Sequence, residues 1–165
     1  MLSNQSAIEE ASIAAERAGF IVHVDNSCDD WDYAKAADYL LQRVHELRKQ
    51  FSPVCLISGG EVTVKVTNGG VGGRNQQFAL ACAQKIAGEN ITVLSAGTDG
   101  VDGNSLAAGA VVDGTTIERS QARGLDVRAA LDKFDAYPLF KALGDAIEIG
   151  PTGNNLRDLR LLLAY

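Results

Sequence analysis

A glycine-rich loop that leads into a helix is the part of this sequence best suited to chemistry. Residues 58–78 read SGGEVTVKVTNGGVGGRNQQF, and the run GGVGG stands directly before Arg74. Backbone N–H groups at the start of a helix are free to bind an anion. The guanidinium of Arg74 adds a planar fork of donors suited to two-point contact with a carboxylate or phosphate. The stretch predicts an anion cradle. A flexible connection between a strand and a helix, which also uses glycine, stays open as the alternative.

Three aspartates lie in a second glycine-rich stretch. Asp99, Asp102 and Asp113 fall within residues 97–114, GTDGVDGNSLAAGAVVDG, which follow an apolar run. Carboxylates near the end of a strand can bind Mg²⁺ together with phosphates. The spacing does not match an EF-hand loop, and Asp and Gly also form turns, which is the interpretation that the residues alone favour.

Composition and charge limit the classes of function. The 165 residues are 46% hydrophobic and 22% charged, which is typical of one globular domain with its own core. The net charge of −6 and the lack of a basic run argue against nucleic-acid binding. No apolar run is long enough to span a membrane, and the polar start MLSNQSAIEE lacks a secretory segment. With three widely spaced cysteines, these features predict a cytoplasmic protein with no membrane partner.

Apolar periodicity predicts the elements that position the two loops. Helices are predicted at 4–18, 31–50, 75–87, 115–123, 126–133 and 137–143, and strands at 20–24, 53–57, 62–67, 91–96, 146–149 and 159–164. Alternating helices and strands indicate an α/β protein, a three-layer sandwich with helices flanking the sheet. The strand at 62–67 follows its predecessor through a tight turn and is expected to be antiparallel to it. The predicted sheet is therefore mixed and mostly parallel.

Several well-known motifs are absent from the sequence. It contains no dinucleotide fingerprint in a strand-to-helix setting, no Walker A loop and no G-x-S-x-G nucleophile elbow. The two histidines, His23 and His45, exclude a histidine-rich metal site. The residues alone thus indicate an acidic α/β domain with an anion or phosphate ligand.

Four ordered blocks together resemble a known family. SGGEVTVKV, GGRNQQFALA, AGTDGVDGNSLAAGAVVDGTT and GPTGNNLRDLRLLL resemble the MOFRL domain, the C-terminal domain of MOFRL-type (class II) glycerate 2-kinases. The resemblance covers nearly the whole chain, so residues 1–165 are interpreted as a single domain of this kind. It implies phosphorylation of D-glycerate at the 2-hydroxyl by ATP with a divalent metal, here Mg²⁺. Members have also been labelled hydroxypyruvate reductases, although this sequence carries no nicotinamide fingerprint.

The resemblance also implies that the active site lies between two domains. The family enzyme has an N-terminal Rossmann-like domain with an active-site lysine, and this sequence does not contain it. The expected function is therefore one half of a glycerate 2-kinase that is inactive alone. The alternative is a free-standing module that binds a small anion or nucleotide without catalysis. A polar cleft face left uncovered would keep the chain soluble or let it form a homo-oligomer.

Site residues follow from the matching blocks. Arg74 is implied as the catalytic residue, and a structural salt bridge to Glu61 or Asp99 is its alternative. Asp99 and Asp102 are the candidate metal ligands. The implied substrate- and phosphate-binding residues are Gly59, Gly60, Glu61, Gly73, Asn75, Gln76, Thr98, Asp99, Gly100, Thr152, Gly153 and Asn154.

One segment departs from the family pattern. The family usually has an asparagine and a serine where this sequence has Phe134 and Ala136, just before Tyr137. If those polar groups contact ligand in the family, the site of this chain is impaired at that point.

Overall fold

A six-stranded mixed sheet forms the centre of the protein in the computed structural model, which describes residues 3–67 and 69–165; Met1, Leu2 and Asn68 lie outside the described residues. The strands lie in the order β1-β2-β6-β3-β4-β5. Their bounds are β1 Ile21–Val24, β2 Val54–Gly59, β3 Ile91–Gly97, β4 Gly109–Asp113, β5 Ala146–Ile147 and β6 Asp158–Ala164. The helices are α1 Asn4–Arg17, α2 Tyr33–Leu47, α3 Arg74–Lys85, α4 Thr116–Ala122, α5 Val127–Asp132 and α6 Ala136–Leu143.

Helices cover both faces of the sheet. Successive side chains of a strand point to opposite faces, and β2 shows this directly. Val54 and Leu56 belong to the main core, which includes buried side chains of α2 and α3. Cys55 and Ile57 belong to a smaller core with buried residues of α1. The predicted three-layer α/β sandwich is therefore confirmed.

The pairing of the strands differs from the prediction. The sheet is mixed, as expected, but only β1 and β2 pair in parallel. The pairs β2–β6, β6–β3, β3–β4 and β4–β5 are all antiparallel, so the expectation of a mostly parallel sheet was wrong. The reason is that β6, the last strand, inserts between β2 and β3 and runs against both.

Two predictions about individual segments are corrected as well. Residues 62–67 form no strand within the described part and make a single bridge, between Thr63 and Asp32. Alternating residues need a free strand edge to pair with, and both edges of β2 are already taken by β1 and β6. Conversely, β4 lies inside the stretch 97–114 that was predicted to be a loop. The strand was missed because its apolar run is short and lies among glycine and other small residues.

Within the described residues, no helix combines the length and apolar character needed to cross a membrane.

Leu162 tests the central position of β6. Its side chain is fully buried in the main core, so Leu162→Ala should leave a cavity and lower the free energy of unfolding by about 2–5 kcal/mol. Leu106→Ala is the matched control, because Leu106 is 71% exposed and its loss should change stability by less than about 0.5 kcal/mol. Denaturant titration measures both values, and similar losses would contradict the placement of β6.

Candidate functional site

A cleft of about 540 Å³ lies beside the start of α3. Three parts of the chain line it: the stretch from Val64 to Val66 with the glycine loop 70–74, the loop that follows β3, and the turn between α5 and α6. The polar lining includes Gly73, Arg74, Asp99, Asp102 and Asn104, and the apolar lining consists of Val64, Val66, Val101 and Phe134. Loops at the ends of neighbouring elements thus meet at one place, as in many α/β ligand sites.

The carboxylate of Asp102 holds the start of α3 in place. It accepts hydrogen bonds from the backbone N–H groups of Asn75 (3.0 Å) and Gln76 (2.9 Å). It also accepts from Nδ2 of Asn75 and Nε2 of Gln76. Asp102 is only 2% exposed, and the packing of its side chain leaves no room for a Cβ at Gly73. A side chain of the protein therefore satisfies N–H groups for which the sequence predicted a bound anion.

This geometry does not support the prediction that Asp102 binds a metal ion. Four hydrogen bonds use the lone pairs of its two oxygens. Burial raises the pKa of Asp102, against the opposing effect of those hydrogen bonds. In the part of the chain that the structure describes, no three His, Cys, Asp or Glu side chains form a group suited to a metal ion.

Asn75 and Gln76 were predicted to contact ligand, but the structure buries both. Asn75 is 1% exposed and Gln76 is fully buried. Oδ1 of Asn75 accepts from Ser95 Oγ at 2.7 Å, and Nε2 of Gln76 donates to Ser105 Oγ at 2.8 Å. The two amides link α3 to β3 and the loop after it. Their role is to position the site, because no surface of either residue remains for a ligand.

Arg74 is fixed by two carboxylates. Its Nε donates to Asp158 Oδ2 at 2.6 Å and its Nη2 to Oδ1 at 3.1 Å, and Nη2 lies 3.0 Å from Oε1 of Glu61. The hydrogen bonds to Asp158 raise the pKa of Arg74, so it stays charged. The ion pair with Glu61, weighed as the alternative from sequence, is thus present, whereas none is found with Asp99. The two-point contact is made to Asp158, and Nη1 is left without a partner among the described residues.

The turn after β2 places Glu61 beside Arg74. Its glycines Gly59 and Gly60, predicted to bind ligand, are buried and contribute backbone contacts instead. The N–H of Gly59 donates to Asn26 Oδ1 at 2.8 Å. The carbonyl of Gly60 accepts from Nη2 of Arg160 at 2.8 Å. The turn is therefore tied to another strand and to another loop.

A second ion pair supports the same turn. Asp29 Oδ1 accepts from the backbone N–H of Glu61 at 2.9 Å, and Arg157 donates to both oxygens of Asp29, at 2.9 and 2.7 Å. The hydrogen bond from the Glu61 backbone, followed by the contact with Arg157, holds the pKa of Asp29 below its ordinary value. The loop before β6 is thereby joined to the turn that carries Glu61.

The predicted residues Thr98–Gly100 and Thr152–Asn154 lie together. Oγ1 of Thr152 donates to the carbonyl of Thr98 at 2.7 Å, and its N–H donates to the carbonyl of Asp99 at 2.9 Å. Gly100 is buried against the backbone of Gly150. Asp99 lines the cleft and its side chain accepts one hydrogen bond, from the N–H of Val101. The exposed residues 152–154 support this loop from outside the cleft.

Two residues that sequence reasoning missed, Asp158 and Asn104, shape the site together with Phe134, which the sequence marked only as a departure from the family pattern. Asp158 orients Arg74, Asn104 bonds the N–H of Gly72 and the carbonyl of Gly70, and Phe134 lines the cleft. Asp158 opens β6 two residues before Arg160 in an otherwise apolar strand, and such charges in a core strand indicate buried ion pairs. No comparable pattern marks Asn104, because its contacts join loops that are distant in sequence.

The fold and the cleft define an α/β domain with a mixed sheet and an arginine that two carboxylates hold beside the cleft. The MOFRL family model matches residues 54–158. The chain belongs to the MOFRL family.

Relatives with assigned activities are much longer than this chain. It is 37% identical over 160 residues to a D-glycerate 2-kinase of Thermotoga maritima, covering 94% of this chain and 38% of that protein. It is 33% identical over 162 residues to a glycerate 2-kinase of Pyrococcus horikoshii, covering 95% and 37%. A crystal structure of a Thermotoga maritima glycerate kinase superposes with a TM-score of 0.92 at 34% identity, covering 99% of this chain and 41% of the other. The chain therefore spans about two fifths of the length of these relatives.

The pH dependence of stability tests the Asp29 contact. A carboxyl group with a depressed folded pKa stabilises the fold above its unfolded pKa, near 3.9, and loses that contribution as the pH falls through the folded value. At pH 7, Asp29→Asn should therefore lower the free energy of unfolding by about 1 kcal/mol or less, since the side chain is 40% exposed. The deficit should shrink as the pH falls below about 4.

Denaturant titrations of the protein and of Asp29→Asn across this pH range make the comparison. The control is Asp38→Asn, because Asp38 is more exposed and pairs with Lys85 on another helix. This substitution should lower the free energy of unfolding at pH 7 by less than Asp29→Asn does. A deficit for Asp29→Asn that persists undiminished at low pH would contradict a role for the ionised carboxylate.

Proposed function

We propose that this domain supplies one wall of the active site of a glycerate 2-kinase, which transfers a phosphoryl group from ATP to the 2-hydroxyl of D-glycerate. The observation that carries the proposal is Arg74. It lines a cleft, its Nη1 has no hydrogen-bond partner among the described residues, and the chain is 37% identical to a D-glycerate 2-kinase. The similarity of fold to a glycerate kinase over nearly the whole chain supports the same function.

Arg74 is suited to the electrostatic part of phosphoryl transfer. Catalysis of this reaction depends mainly on positioning and on stabilising charge that develops on phosphoryl oxygens. Asp158 and Glu61 hold the guanidinium in one orientation. A donor fixed in advance needs no reorganisation during the reaction. In this proposal, Nη1 is the guanidinium nitrogen that contacts the phosphoryl oxygens.

Asp99 is the carboxylate of this domain that fits a metal role. Mg²⁺ commonly binds one or two carboxylates together with substrate phosphates. Asp99 lines the cleft, and its carboxylate accepts only the hydrogen bond from Val101 among the described residues, so lone pairs remain. A divalent ion held there with the ATP phosphates would neutralise their charge.

The cleft of this domain is an incomplete site for the reaction. Arg74 is the one cationic side chain among the described residues that line it, and both carboxylates beside it offset its charge. We therefore propose that catalysis needs a second, Rossmann-like domain, with further cationic groups on the opposite wall. The lining of this cleft is partly polar and partly apolar. Until a second domain covers it, the chain would remain soluble or self-associate through this face.

The second candidate is a module that binds a small anion or nucleotide without catalysis. The observation that favours it is the cleft itself, which brings Arg74 and the backbone of the glycine loop together within this one domain. The two candidates differ in whether this domain restores turnover when joined to the rest of a kinase.

A domain exchange separates them. The matching segment of the Thermotoga maritima D-glycerate 2-kinase is replaced by this chain, and formation of 2-phosphoglycerate from D-glycerate, ATP and Mg²⁺ is measured. The hybrid should be active, because this domain supplies the missing wall, whereas the isolated chain should give no product above background. A folded but inactive hybrid, or an active isolated chain, would contradict the proposal.

Arg74→Lys in the same hybrid tests the proposed catalytic residue. Lysine keeps the charge but loses the planar set of donors, so kcat/KM should fall roughly a hundredfold, equivalent to about 3 kcal/mol of transition-state stabilisation. Arg119→Lys is the matched control, because Arg119 makes a similar two-point contact with Asp145 outside the cleft. If Arg74→Lys lowers the melting temperature and leaves turnover unchanged, Arg74 is structural.

A further inference from the structure

The cleft has more apolar lining than D-glycerate can use. Val64, Val66, Val101 and Phe134 all line it, and Val66 and Val101 are 61% and 40% exposed. Every carbon of glycerate carries oxygen, so the acid has no apolar surface to place against these side chains. The volume of about 540 Å³ falls in the range of pockets that hold considerably larger ligands.

Phe134 is held in the cleft at a conformational cost. Its φ of 53° lies in the left-handed region, which is unusual for a bulky side chain. The ring packs edge-on against Tyr33 with centroids 6.4 Å apart. On the backbone side, Gly70 lies so close to the carbonyl of Phe134 that a Cβ would not fit there. Strain that the surrounding structure enforces is characteristic of functional positions.

The polar part of the cleft is preorganised near the same loop. Asn104 accepts from the N–H of Gly72 at 2.9 Å and donates to the carbonyl of Gly70 at 3.1 Å. This pair of bonds fixes the glycine loop that joins the Phe134 region to Arg74. The cleft therefore combines an aromatic face with a charged donor, both in fixed positions.

We propose that this cleft takes the nucleotide of the reaction rather than D-glycerate, with the base against Phe134 and the phosphates toward Nη1 of Arg74. This inference rests on the proposed kinase function and assigns the substrate that this wall binds. A nucleotide has the two parts that the lining matches, because its base is flat and aromatic and its phosphates are anionic. Phe134 is then the residue that determines affinity for the base.

Calorimetric titration of the 165-residue chain tests the assignment, with ATP, inorganic triphosphate and D-glycerate as separate ligands, each with Mg²⁺. Base stacking on an aromatic side chain should make ATP bind about tenfold more tightly than triphosphate. Phe134→Asn should remove this advantage and leave triphosphate affinity unchanged. Asparagine tolerates the left-handed conformation, so the melting temperature should not fall. Tyr165→Asn, at an aromatic residue that is 58% exposed and does not line the cleft, should bind ATP like the parent chain.

Three results would overturn the inference: no ATP binding, equal affinity for ATP and triphosphate, or tighter binding of D-glycerate than of ATP. An unchanged ATP affinity in Phe134→Asn would do the same. The hybrid kinase keeps the two proposals apart. If the chain binds ATP but the hybrid kinase has no turnover, the kinase function is contradicted. If the hybrid is active but Phe134→Asn leaves its KM for ATP unchanged, the nucleotide assignment is contradicted.

Discussion

The site depends on one buried contact, the carboxylate of Asp102 at the start of α3. It takes four hydrogen bonds from the backbone and side chains of Asn75 and Gln76. Burying a charge is unfavourable unless such bonds compensate it, so the helix start and the loop after β3 are held in one arrangement. That arrangement sets the positions of Arg74, the first residue of α3, and of Asp99 in the lining of the cleft.

A network of ion pairs then orients the arginine. Asp158 and Glu61 contact Arg74, while Arg157 and Asp29 fix the turn that carries Glu61. The partners come from β6, from the turn after β2 and from the loop before α2, so the fold of the whole sheet is needed to assemble them. An arginine positioned in this way is a rigid donor, and the proposed role in stabilising transition-state charge rests on that rigidity.

The sequence predicted the layers of the fold, because apolar periodicity is a local feature, and it singled out the glycine-rich loop that lines the cleft. It could not predict the strand pairing, since the insertion of β6 between β2 and β3 is a long-range choice. For the same reason, the alternating residues 62–67 looked like a strand although both edges of β2, the strand before them, are occupied. Asn75 and Gln76 were predicted as ligand contacts because they stand beside Arg74. Their burial could not be predicted, since it depends on contacts with Asp102, which is distant along the chain. The sequence marked Phe134 only as a departure from the family pattern, and its place in the lining of the cleft became visible only in the structure.

In the proposed kinase function, the central claim is that Asp158 acts through the orientation of Arg74. A double-mutant cycle in the hybrid kinase measures this most directly, with kcat determined for Asp158→Asn, Arg74→Lys and the combined variant. The account predicts that Asp158→Asn lowers kcat when Arg74 is present and has little further effect once Arg74 is replaced by lysine. Effects on kcat that simply add would contradict it, because Asp158 would then act independently of the arginine.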